Sequence, residues 1–129
     1  MNLRAVKYQT VDLIVNGAGA TVSSNNFTTD TNYIKVVAIK AKTNDAAKLA
    51  SRGLVFSKFE IAGQEIYPSG FNVEDIVGDT AVAPNDRFDK DIDMPADGSV
   101  VNITVVDGSM TGQVYPYTVT ITLKLTNPK

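Results

Sequence analysis

The sequence predicts an all-β protein, a two-sheet antiparallel sandwich of jelly-roll-like arrangement with one short helix near residues 44–52. Three observations lead there. The stretch from Tyr117 to Thr126 alternates strictly, with Val119, Ile121, Leu123 and Leu125 on one side and Thr118, Thr120, Thr122, Lys124 and Thr126 on the other. That period of two describes a strand with one face in a core and one face in water. Roughly six to eight segments rich in valine, isoleucine, threonine and aromatic residues recur along the chain, residue types whose χ1 restrictions suit a pleated surface. Turn formers separate them: Asn16-Gly17, Ala62-Gly63, Pro68-Ser69-Gly70, Asp97-Gly98 and Asp107-Gly108. Short strands punctuated this way fold as a sandwich or a small barrel, with an immunoglobulin-like sandwich as the alternative to the jelly roll. The 129 residues suffice for one domain, 1–129, around one core.

In order along the chain, the first strand signal runs from about Arg4 to Val15. Val6 and Tyr8 share one parity while Val11, Leu13 and Val15 share the other, so a bulge or break is expected near Gln9-Thr10. Asn16-Gly17 suits a hairpin turn into a short return strand at Ala20-Thr21-Val22. Ser23 to Asn32 is almost wholly polar and is expected as an exposed loop. Tyr33 to Lys42 is apolar on both parities (Tyr33, Val37, Ile39 and Ile34, Val36, Ala38), which predicts a strand covered on both sides, in mid-sandwich or at a subunit contact. Asn44 to Arg52 is the predicted helix. Thr43 or Asn44 caps it, Ala46, Leu49 and Ala50 form its apolar stripe, Lys48 and Arg52 sit at its C-terminal end, and Gly53 stops it.

Leu54 to Ile61 and Gln64 to Tyr67 form a hairpin about Ala62-Gly63, with Val55, Phe59 and Ile61 as an inner face and Leu54 and Phe56 off it. Asn72 to Val77 fits a helical turn or a short strand equally, and Ala81 to Ala83 a brief pairing before Pro84. Val100 to Val106 is a strand with Val101, Ile103 and Val105 aligned. The loop from Asp107 to Gly112 leads into the closing strand, Val114 to Thr126, and adjacency in sequence predicts that these last two strands pair.

The absent residue types narrow function. Cysteine and histidine are missing, which removes disulfides, thiolate nucleophiles, sulfur ligands for zinc, and every Ser-His-Asp or Cys-His device within the chain. Tryptophan is missing too, which weakens a sugar-stacking site. No phosphate-binding loop or other catalytic motif occurs, so no cofactor is expected and the expected role is non-enzymatic. A net charge of −2 provides no field for nucleic acid, and no direct nucleic-acid contact is expected. Met1-Asn2-Leu3-Arg4 opens no secretory signal and no stretch approaches the roughly 20 apolar residues of a membrane span. No membrane partner is expected, and synthesis is expected in the cytoplasm.

Three constellations remain, each with a plain structural reading beside the functional one. Asp89, Asp91 and Asp93 alternate, as carboxylates holding calcium would, yet Met94 and Val100 stand where an EF-hand needs glycine and glutamate. The same alternation is what a solvated edge strand uses to discourage pairing. Residues 74–97 hold eight acids against Arg87 and Lys90, whereas residues 35–58 hold Lys35, Lys40, Lys42, Lys48, Arg52 and Lys58 against Asp45 alone. Such segments fit contact between copies, or mutual neutralisation within one monomer. Tyr115-Pro116-Tyr117 and Tyr67-Pro68 place aromatics at strand ends, where they can serve an interface, flank a sugar, or plug the sandwich. The candidate subunit-interface residues are therefore Lys35, Lys40, Lys42, Asp89, Asp91, Asp93, Tyr115 and Tyr117.

With its threonine-, asparagine- and valine-rich strands, long polar loops, and lack of cysteine and histidine, the chain resembles the small all-β structural subunits of bacteriophage particles: capsid, decoration or head-spike proteins. The hairpin from Lys58 to Pro68 resembles those of viral jelly rolls. The resemblance implies a virion subunit assembled in the host cytoplasm, partnered by copies of itself or by other virion proteins. Lacking a basic arm, it would sit in an outer rather than genome-facing position. The alternative is a carbohydrate-binding or adhesin-type β-sandwich with a glycan as partner.

Overall fold

The structure, a computed structural model, describes residues 6–24, 27–44, 53–76, 92–109 and 111–128. Its strands are β1 (Val6–Val15), β2 (Thr21–Ser23), β3 (Phe27–Thr28), β4 (Tyr33–Thr43), β5 (Val55–Ile61), β6 (Gln64–Tyr67), β7 (Phe71–Asn72), β8 (Met94–Pro95), β9 (Val100–Val106) and β10 (Tyr117–Pro128). A 3₁₀ turn, Val73–Ile76, follows β7, so the ambiguous stretch after Phe71 is strand and then helical turn. The predicted helix near 44–52, beyond Asn44, and the pairing at Ala81 to Ala83 lie outside the described residues. Asn44 itself extends the β4–β10 pairing. Its N–H donates to Thr118 O (3.2 Å) and its side-chain oxygen accepts the Thr118 N–H (2.8 Å).

The protein is all-β, with two antiparallel sheets ordered β1-β10-β4-β8 and β2-β9-β5-β6, while β3 also pairs with β9 and β7 with β5. Pairing is nested along the chain: β1 with β10, β2 and β3 with β9, β4 with β8, and β5 with β6. Two further pairings, β10 with β4 and β9 with β5, join these units within each sheet. The expectation that the last two long strands pair with each other is therefore wrong. β9 and β10 lie in different sheets, and the loop between them crosses the sandwich because both flanks of each strand are taken by other partners. Asn16-Gly17 is likewise no hairpin. The turn closes by an Ala20 N–H to Gly17 O bond (3.2 Å), but it sends the chain from β1 to β2 on the opposite sheet.

Polar composition also misled at Ser23 to Asn32, which is not wholly an exposed loop. Phe27–Thr28 pairs with β9, and Ser24 and Thr29 are buried. Ser24 exchanges two bonds with Ile103, through its own N–H (2.8 Å) and through its hydroxyl as acceptor (3.0 Å), so the polar groups are satisfied and burial costs little.

Three strands carried apolar residues on both parities, and the fold treats them in two ways. On β4, Lys124 faces Ala38 while the next residue, Leu125, faces Val36, leaving Val37 as an extra residue. This bulge moves the inward set from Ile39 and Ala41 to Val36. The strand is thus not covered on both sides along its length, although Ala38 is buried on the outer side. On β5, Ser57 is skipped between Phe56↔Val105 and Lys58↔Thr104, so Leu54 and Phe56 are buried before the bulge and Phe59 and Ile61 after it. Val55, expected inside, is only half-buried. On β1 no break occurs. Pairing with β10 is continuous from Val6↔Thr126 to Val15↔Tyr117, which leaves Tyr8 and Ile14 on the outer face.

The inner faces of both sheets meet in one core that includes Leu13, Val15, Ile39, Val101, Ile103 and Val119 to Leu125 at odd positions. An aromatic cluster fills one part of it, with Phe56 edge-on to Phe59 (5.0 Å) and Tyr67 stacked on Phe71 (4.4 Å). The β5–β6 hairpin turns as expected, with Ala62 (φ 54°) and Gly63 (φ 78°) both in the left-handed region that a two-residue turn of this kind requires.

Candidate functional site

Two polar arrangements stand out from the core. The first closes one end of the sandwich around Asp107, the residue that follows β9. Asp107 is buried, and four donors converge on its carboxylate. The Tyr117 hydroxyl donates to Oδ1 (2.5 Å); the Tyr115 hydroxyl (2.5 Å) and the N–H groups of Gly19 (3.1 Å) and Ser109 (3.0 Å) donate to Oδ2. Its own N–H donates to Ala20 O (2.9 Å). One side chain thus joins the β1–β2 turn, the end of β9, and the start of β10. Next to it, Gly108 lies so close to Gly53 that a Cβ there would sit 2.2 Å from the Gly53 carbonyl oxygen. The glycine serves a close backbone approach and not only a turn.

Burial by itself would raise the Asp107 carboxyl, but the bonds from Tyr115, Tyr117, Ser109 and Gly19 outweigh it and hold the group below the usual carboxylate range. The bond to Asp107 pushes the Tyr115 phenol up to about 12. A carboxylate whose oxygens are already occupied by four donors acts as a cross-link and offers no base to a substrate. Tyr117 is 2% exposed and Tyr115 is half-buried. They close the end of the sandwich, and Tyr117 is removed from the candidate contact residues by its burial.

The second arrangement is the outer face of the β1–β10–β4 sheet. The registers place side chains in rows: Val6, Thr126 and Lys35; Tyr8, Lys124 and Ala38; Thr10, Thr122 and Lys40; Asp12, Thr120 and Lys42; Ile14 and Thr118. Directly opposed residues on one face are about 5 Å apart, so each row forms a contiguous strip. Threonine occupies most of the middle strand and keeps the surface flat. Thr120 donates its hydroxyl to Asp12 (2.6 Å). Tyr8 and Ile14 expose 46% and 54% of their surface, large values for apolar residues. The inner side of the same β1 edge is closed differently. Lys7 pairs with Asp30, and Gln9 donates to Thr28 O (2.8 Å) and accepts from the Asp30 N–H (3.1 Å). Lys7 and then the Asn32 N–H hold the Asp30 carboxyl below its ordinary value. An inward charge on an edge strand discourages further strand pairing there.

Lys35, Lys40 and Lys42 therefore share one face. Lys35 reaches Asp93 at 3.4 Å, beside the β4–β8 pairing. Here at least, the basic and acidic stretches meet within one chain, although both partners are exposed and the pair contributes little to stability. Asp89 and Asp91 lie outside the described residues. Among the described residues no group of three possible metal ligands occurs. Sequence reasoning missed Asp107, because its donors lie up to 88 positions away. It also missed Lys124, Tyr8 and Ile14 as face residues, although the threonine alternation of the closing strand already marked their row. Comparison of the chain with protein-family models, with curated proteins and with solved structures finds no match.

Proposed function

We propose that the chain is a non-enzymatic structural subunit of a virus particle, of the bacteriophage capsid, decoration or head-spike kind, acting by self-association or by docking on a larger assembly. One observation carries the reading. The nested pairing, first strand with last and second with next to last, folded into two four-strand rows, is the strand order of a jelly roll, an architecture used by capsid domains and also by lectins. The flat threonine-lysine face with exposed Tyr8 and Ile14 supports a contact role, since aromatic and aliphatic anchors within a polar rim are what protein interfaces use. The glycan-binding alternative loses its proposed platform: Tyr67 and Tyr117 are buried, and the Tyr115 hydroxyl is committed to Asp107. In this reading the protein is assembled into virions in the host cytoplasm.

Electron microscopy of particles and of the concentrated purified chain tests the reading. A regular assembly, or density for this fold on a particle, is expected. A chain that stays monomeric when concentrated and binds no particle would contradict it.

A further inference from the structure

We propose that the outer face of the β1–β10–β4 sheet docks against an acidic surface on a second copy of the chain, head to tail and not face to face. The inference rests on the self-association reading above and specifies its geometry. The face presents Lys35, Lys40, Lys42 and Lys124 against Asp12, with Asp93 at its margin beside Lys35. Counting both acids it carries +2, which leaves −4 on the remainder of a chain whose net charge is −2. Among the described residues Lys42 and Lys124 form no ion pair. Two such faces brought together would set lysines against lysines, and like charges opposed across an interface are selected against. The same face meeting the acidic remainder of another copy is attracted to it, and Tyr8 and Ile14 supply the apolar surface that the contact desolvates.

Symmetry follows from charge. A contact between two different surfaces of one chain is heterologous and propagates, closing into a ring or extending as an array. Size fits that outcome better than an isolated dimer. Five rows across three strands cover roughly 400 Å², about half of what each partner contributes to a stable pairwise interface. Each contact is weak, and several made together hold an assembly.

Sedimentation velocity on the full chain at low and at about 0.5 M salt, where screening reaches within a few ångströms, tests the proposal. The wild type is expected to associate as concentration rises and to weaken by at least about tenfold in high salt. Lys42→Glu with Lys124→Glu is expected to be monomeric with unchanged thermal unfolding; Lys42→Gln with Lys124→Gln repeats the test if the reversal fails to fold. The labelled charge variant, added to wild type, is expected to join and shorten the oligomers, because it keeps the acceptor surface while lacking the donor face. Association unchanged in both variants would overturn this inference and leave the proposed function standing. A variant excluded from wild-type oligomers would overturn the head-to-tail geometry. A wild type monomeric throughout would overturn the self-association reading, and this inference with it.

Discussion

The inner and outer faces of the β1–β10–β4 sheet share one backbone and one register, yet they differ in what fixes their residues. Inside, Leu13, Val15, Ile39, Val119, Ile121, Leu123 and Leu125 are all 2% exposed or less, and each is determined by the volume that it fills. Outside, threonine and lysine fill the same strands with no packing requirement, and Tyr8 and Ile14 stand out although nothing in the fold calls for an apolar side chain there. The difference teaches that stability and contact can be separated on this sheet: a change on one face should move unfolding, and a change on the other should move association.

The largest expected effect is on the inner face. Leu123→Ala, at a fully buried position, should lose about 2–5 kcal/mol of stability, measured by urea unfolding. Near-wild-type stability would show that the face assignment is wrong. Next is the clamp that holds the two sheets at one end. Asp107→Ala removes a charged acceptor from four donors and strands two tyrosine hydroxyls, at a cost of about 3 kcal/mol.

The clamp also has a signature in pH. The Asp107 carboxyl is lowered on folding, so its contribution is complete above the unfolded value of about 3.9 and is lost as pH falls through the lower folded value. The stability gap between wild type and Asp107→Asn should therefore narrow in acid. Tyr115 behaves in the opposite sense. Its value rises from about 10 to about 12 on folding, so its contribution is complete below pH 10 and is lost as pH rises through 12. Unfolding curves of Tyr115→Phe should converge on wild type across that range, and a constant gap would argue against the bond to Asp107. The smallest expected effect on stability is on the outer face. Tyr8→Thr and Ile14→Thr should each stay within about 0.5 kcal/mol of wild type while weakening association, and a large loss of stability would mean that these side chains are covered within the monomer.

The strands were legible because burial on one face leaves a period of two in the sequence, and β9 and β10 carry that period without interruption. Pairing was not legible, because alternation states which face is buried and not which strand lies alongside. The loop after Val106 is short enough for a hairpin and crosses between sheets all the same. Parity conflicts in β4 and β5 were visible as conflicts, but the sequence does not say whether a bulge resolves them, as at Val37 and Ser57, or whether apolar side chains are left outside, as at Tyr8 and Ile14. Asp107 read as half of an Asp-Gly turn. Its part in the clamp depends on tyrosines and on a turn from the far end of the chain, which only the folded topology brings together.

The central claim is that the outer face of this sheet is buried between copies. Rates of amine labelling at Lys42 and Lys124, compared between dilute and concentrated protein at low salt, test it most directly. Both lysines should be protected in the concentrated sample relative to the other lysines of the chain. Equal labelling of Lys42 and Lys124 at both concentrations, in a sample that has associated, would contradict it.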